Sequence, residues 1–117
     1  MIESAEFGRI IINGQEYKHD IVIYPSGKIE KRKKWLSKKK HGTSHKLDSD
    51  ELREYLKEDF DVLLVGTGIY GLLSVLSESK ALVRDKEIIE KPTKEAAELF
   101  NKLKSKKRIL AIFHITC

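Results

Sequence analysis

The sequence holds one cysteine, Cys117, so no disulfide can form within the chain, which suits a reducing compartment. No apolar run approaches the ~20 residues that a bilayer-spanning helix requires. The opening MIESAEFGRIIING lacks the basic-then-apolar pattern of a secretory signal. No segment repeats. These absences point to a cytoplasmic protein with no membrane association and no disulfide framework.

What is present is an ordinary globular balance, 40% hydrophobic and 35% charged, well away from the disordered class. At 117 residues the chain reads as one domain, residues 1–117, large enough to build a single core. The net charge of +5 is local in origin. Residues 28–46 hold nine Lys/Arg against one acid, Glu30, so the rest of the chain is slightly acidic.

The stretch Asp61–Gly71, DVLLVGTGIYG, organises the reading. Val62–Val65 is a short apolar run that ends in three glycines, as a buried strand does when it feeds a tight loop. The spacing Gly66-x-Gly68-x-x-Gly71 formally matches the dinucleotide fingerprint, with Glu87 at about the distance of the ribose-binding acid, ~20 residues. No long helix pattern begins at the third glycine, however, so a glycine turn of another kind is the leading reading.

Upstream, the pattern is β. Arg9–Ile12 reads as a strand, Asn13-Gly14 as a two-residue hairpin turn, Tyr17–Tyr24 as a second strand, and Pro25-Ser26-Gly27 as a turn into a third. Residues 33–47, KKWLSKKKHGTSHKL, read as a long loop pinned by a buried Trp35. From Asp48 the period changes. Asp48 with Glu51 forms a capping-box pattern and Leu47 with Leu52 a hydrophobic staple, predicting a helix over 49–58. Ser77 caps a second helix, Glu87–Glu90 is a strand, and Thr93 caps a third helix bearing the stripe Ala96, Leu99, Phe100, Leu103. Ile109–Phe113 reads as a central strand. The resulting α-β-α-β-α-β order implies parallel strands and an α/β fold with a mixed sheet.

In such a sheet, ligands gather where strand C-terminal ends meet helix N-termini. If the last three strands are parallel, Thr67, Thr93 and His114 lie along one edge, beside Gly66, Gly68 and Gly71. Those residues are the candidate pocket for a small anion. The competing account makes the glycines turns, Thr93 a cap and His114 a local hydrogen-bonding group. Asn101 sits one step off the last helix's apolar stripe, where a structural role is favoured. His114 and Cys117 are three apart and would point to opposite faces of a strand, which argues against a catalytic dyad. His41 and His45 flank Gly42 without a third metal ligand. The basic tract around Trp35, residues 31–40, reads first as a lysine-guarded edge and second as a nucleic-acid surface.

Several pieces are familiar together: Phe7-Gly8, Tyr17-x-x-Asp20-Ile21-Val22, Gly42-Thr43-Ser44-His45, Val65-Gly66-Thr67-Gly68, Thr93-x-x-Ala96 with Asn101, and Phe113-His114-x-Thr116-Cys117. The pattern resembles the small uncharacterised α/β domain family that includes the mitochondrial complex I assembly factor three and the adipogenesis-associated domain-containing protein. The resemblance implies a three-layer α/β architecture with an antiparallel β-hairpin extension at the N-terminal side. It implies no established enzymatic activity and assigns no cofactor, and its eukaryotic members look like assembly or regulatory proteins. The ligand-binding set expected from all of this is Gly66, Thr67, Gly68, Gly71, Thr93, Asn101, His114 and His45. A small anionic ligand, a protein partner or a homo-oligomer stand as expected partners, with nucleic acid ranked below them.

Overall fold

The computed structural model describes residues 1–117. Three strands come first, β1 (Ile2–Glu6), β2 (Arg9–Ile12) and β3 (Gln15–Tyr17), paired antiparallel as a small separate sheet. Asn13 and Gly14 join the last two with φ of 50° and 80°, the two left-handed positions that a type I′ hairpin turn demands. β4 (Ile21–Ile23) and β5 (Ile29–Lys31) form a second hairpin. Then follow α1 (Trp35–His41), β6 (Lys46–Leu47), α2 (Ser49–Arg53), β7 (Val62–Thr67), β8 (Ser74–Val75), α3 (Ser77–Leu82), β9 (Glu87–Lys91), α4 (Thr93–Leu103) and β10 (Ile109–His114).

The central sheet has the order β5-β4-β10-β7-β9. β7, β9 and β10 run parallel, while β4 joins β10 antiparallel and β5 joins β4 antiparallel. The mixed sheet and the N-terminal antiparallel extension are therefore as the sequence leads one to expect. Strand alternation sorts the core into two layers. Val62, Leu64, Ile109, Ala111 and Phe113 face α4 and the small N-terminal sheet, together with Ile21 and Ile23. Leu63, Val65, Leu110, Ile112 and Val22 face the opposite layer with Leu52, Tyr55 and Val83 from the α2–α3 side. Burying one such aliphatic side chain is worth roughly 1.5–3 kcal/mol, so the two-sided strands β7 and β10 dominate the stability. No helix is long and apolar enough to cross a membrane.

Four expectations are corrected. The predicted strand Tyr17–Tyr24 is two strands in different sheets, broken at Lys18–Asp20, because Asp20 is drawn into a buried polar cluster. β1 has no counterpart in the predicted elements. Residues 33–47 are not one loop: α1 occupies 35–41 and stops at Gly42, φ 72°. Trp35 is 60% exposed, while its neighbour Arg32 is the buried member of the tract. Finally, α2 ends at Arg53, and the Glu51 of its predicted capping box turns inward to Arg32. The Asp48 cap does form, accepting the backbone N–H of Asp50.

Candidate functional site

The three parallel strands bring Gly66, Thr67, Gly68, Thr93 and His114 together. Phe113 lies opposite Gly66 and His114 opposite Thr67, while Lys91 at the end of β9 flanks Gly66 from the other side. Thr93 is the knot of this edge. It does not cap α4, since its hydroxyl accepts the N–H of Gly68 at 2.9 Å and donates to the carbonyl of His114 at 2.5 Å. One side chain thus ties three strand ends together.

The glycines permit that closeness. A Cβ on Gly66 would lie 2.7 Å from the Phe113 ring and 3.0 Å from the Thr93 hydroxyl. Gly68, at φ 109°, lies so close to the Cys117 carbonyl that a side chain would collide with it. The loop beyond is stitched to the C-terminal segment, with Ile69 N–H to the carbonyl of Thr116 at 2.7 Å and Leu72 N–H to that of Cys117 at 2.9 Å. Thr93 N–H and Gly71 N–H both donate to the Gly68 carbonyl. The N–H groups of Gly68, Ile69, Gly71, Leu72 and Thr93 are therefore already engaged by the chain. The surface has three clefts, and none is lined by Gly66–Gly71, Thr93, His114 or His45. The dinucleotide geometry is also absent: Gly71 leads to β8 rather than a helix, and Glu87 starts β9 at the far end of the sheet, paired with Lys107.

On the other face of the sheet the His114 imidazole enters a buried charged cluster that the sequence conceals. Arg32, 3% exposed, grips Glu51 with two hydrogen bonds, Nε to Oε2 at 2.7 Å and Nη2 to Oε1 at 2.9 Å. Its Nη1 donates to Asp20 at 3.0 Å and its Nη2 to the Ser44 carbonyl at 3.0 Å. Glu51 also accepts from the Ser37 and Tyr55 hydroxyls, and Asp20 accepts the N–H of Ile115 at 2.8 Å. No buried side-chain polar atom is left without a partner, as interiors require. Burial drives the Tyr55 hydroxyl above its ordinary pKa, and the Glu51 charge adds to this. Burial alone would raise Asp20, but the bond from His114, the Ile115 N–H and the Arg32 charge hold it below the usual carboxylate range.

Asp20 Oδ2 is 2.7 Å from His114 Nδ1, and His114 Nε2 is 3.3 Å from the Thr116 hydroxyl. Carboxylate, imidazole and hydroxyl thus stand in the order of a proton relay. With His114 1% exposed and no cleft at any of the three, there is no room for a substrate at that relay. The Asp20 carboxylate orients the imidazole through Nδ1 and, by accepting the Ile115 N–H, holds the start of the C-terminal segment. The ring of His45 packs edge-on against His114 at 5.3 Å. Asn101 stands apart, its amide exchanging two 2.8 Å hydrogen bonds with the backbone of Ile2 and so acting as an extra strand partner for β1. His41 is bound to Asp48 at 2.7 Å.

Sequence reasoning took Arg32 only as part of the basic tract and Glu51 only as part of a helix cap, and it quoted Asp20 and Thr116 only as parts of motifs. One signal was available. A lone arginine within a lysine run suits a bidentate buried grip that lysine cannot make.

The same edge carries a second feature, which faces solvent. Phe7, Tyr70 and Leu72 are exposed, Tyr70 by 69%, and the rings of Phe7 and Tyr70 lie 5.9 Å apart. Their backbone is held by the stitching just described, to which Gly8 N–H adds a 2.7 Å bond to the Ile115 carbonyl.

Residues 2–114 match the model of a family described as a protein of unknown function, DUF498/DUF598. Among solved structures, the chain is similar to the conserved hypothetical protein PH1505 from Pyrococcus horikoshii, at 69% identity and TM-score 0.98, covering 100% of this chain and 99% of that one. It is also similar to a protein named MT938, at 34% identity and TM-score 0.87, with 100% and 98% covered. A Xanthomonas campestris protein solved by NMR shares the fold at 17% identity and TM-score 0.69, with 98% and 83% covered. No curated protein matches.

Proposed function

The chain belongs to the DUF498/DUF598 family of proteins of unknown function, and from that premise we propose that it acts as a protein-interaction domain whose docking surface is the rim of Phe7, Tyr70 and Leu72. The observation that carries this reading is the exposure of two aromatics in tilted contact and a leucine on a backbone that is already tied down. Aromatic anchors on a preorganised edge lose little conformational entropy when they dock, and residues of this kind dominate interface energetics. Three anchors fall well short of the ~20–30 residues per side of a stable interface, so the reading is of a transient contact with a protein that offers an apolar groove. The resemblance to assembly factors accords with this, and Cys117 as a free thiol suits a cytoplasmic setting.

The glycine loop then serves as scaffolding for the rim. The alternative of a small-anion pocket at Gly66–Gly71 draws less support, because the N–H of Gly68 already has the Thr93 hydroxyl as its acceptor.

The test is affinity capture from the native lysate with the wild type and with a triple variant, Phe7→Ser, Tyr70→Ser and Leu72→Ser. A partner held by the wild type and lost by the equally stable variant supports the rim. An unchanged set of captured proteins removes it, and a wild-type dimer that the variant dissociates makes a second copy the occupant.

A further inference from the structure

The face of α1 turned to solvent has no role in the docking rim or in the buried cluster. Ser37 marks the inner side of the helix, where its hydroxyl reaches Glu51. Trp35, Lys38 and Lys39 stand at i, i+3 and i+4, on one outward stripe. Trp35 is 60% exposed and contacts no other aromatic ring or cation.

The charges around it are unbalanced. Lys33 is matched by Glu54, and Lys40 by Asp48 and Asp50. Asp48 also holds His41, and Asp50 also holds Arg53. With these carboxylates engaged, Lys31, Lys34, Lys38 and Lys39 are exposed and take part in no ion pair. A lysine-guarded edge strand accounts for Lys31 at the end of β5, but not for an exposed indole at the start of the next helix.

We propose that this face binds single-stranded nucleic acid, with Trp35 stacking on a base and Lys31, Lys34, Lys38 and Lys39 meeting phosphates. Stacking platforms set among cations are how single strands are held without regard to sequence, since every base offers a π-face. A membrane surface would need a broad apolar stripe, and beyond Trp35 the helix offers only the half-buried Leu36. The surface is independent of the Phe7–Tyr70–Leu72 rim, so each can fail alone.

Trp35 is the only tryptophan, so its fluorescence reports directly on the site. Titrating the protein with oligothymidylate or oligouridylate should quench that emission. Affinity should fall with salt at a log–log slope of about −2 to −3, the value for four single-strand phosphate contacts. Trp35→Ala, followed by anisotropy of a labelled strand, should weaken binding by about 10- to 100-fold with an unchanged melting temperature. Lys38→Gln with Lys39→Gln should flatten the slope by about 1.4. Absence of quenching at low salt overturns the proposal, as does a Trp35→Ala variant that binds as tightly as the wild type. Vesicles of phosphatidylserine and phosphatidylcholine that shift the emission while oligonucleotides do not would overturn it in favour of a lipid surface.

Discussion

The edge around Gly68 and the helix beginning at Trp35 hold comparable concentrations of polar groups but treat them in opposite ways. At the glycine edge the N–H groups of Gly68, Ile69, Gly71, Leu72 and Thr93 all find acceptors within the chain. On α1 and the chain leading into it, the ammonium groups of Lys31, Lys34, Lys38 and Lys39 and the Trp35 indole face water without an ion-pair partner. A group answered internally contributes to the fold, whereas one left unanswered is available to something else. The buried cluster makes the same point within a single tract: Arg32 is closed off by Asp20 and Glu51, and Lys31 beside it is open.

The largest expected effect tests the closed side. Arg32→Met leaves Asp20 and Glu51 buried without their counter-charge and should cost about 3–5 kcal/mol of unfolding free energy, read by denaturant titration. Lys34→Met should stay within about 0.5 kcal/mol of wild type. An Arg32→Met cost as small as that of Lys34→Met would erase the distinction. Gly68→Ala forces a side chain against the Cys117 carbonyl at a left-handed φ and should cost about 1–3 kcal/mol or more. Gly14→Ala, also at positive φ but with open space around it, should cost less. Thr93→Val removes the hydroxyl that links Gly68 to His114 and should cost about 1–3 kcal/mol. Hydrogen exchange at the Gly68 amide should quicken with it.

The smallest effect is a pH dependence. Asp20 has a folded pKa below its unfolded value of about 3.9, so its ionised form stabilises the fold above about pH 4. That contribution is lost as pH falls through the folded value. Asp20→Asn should therefore flatten the acid limb of the stability curve relative to wild type. An unaltered limb would mean that other carboxylates set it.

The strands were legible because β7 and β10 are apolar on both faces, and only a sheet covered on each side gives that pattern. The convergence of Gly66, Thr67, Thr93 and His114 followed from the parallel order. What could not be read was the direction of satisfaction. Glycine spacing signals that something comes close to the backbone, and here the chain's own Thr116–Cys117 segment does. Trp35 and Arg32 were exchanged for a related reason. Hydrophobicity favours burying the indole, but two inward carboxylates, Asp20 and Glu51, require a guanidinium, and those are contributed from 12 and 19 residues away. Long-range demands of this kind leave no local period to detect. Thr93 likewise looked like a cap because its position in the sequence fits one, while its partners lie 21 and 25 residues distant.

The position of β10 in the sheet bears on how the protein is made. It is the middle strand of five, yet it is synthesised after both of its neighbours, β4 and β7. Until it emerges from the ribosome, the β4–β5 hairpin and the β7–β9 pair are separate fragments, each with an open edge that will later be covered. Nascent chains interrupted before Ile109 would expose two sticky strands at once, a template for mispairing between chains. The central sheet can close only once β10 is available to bridge β4 and β7.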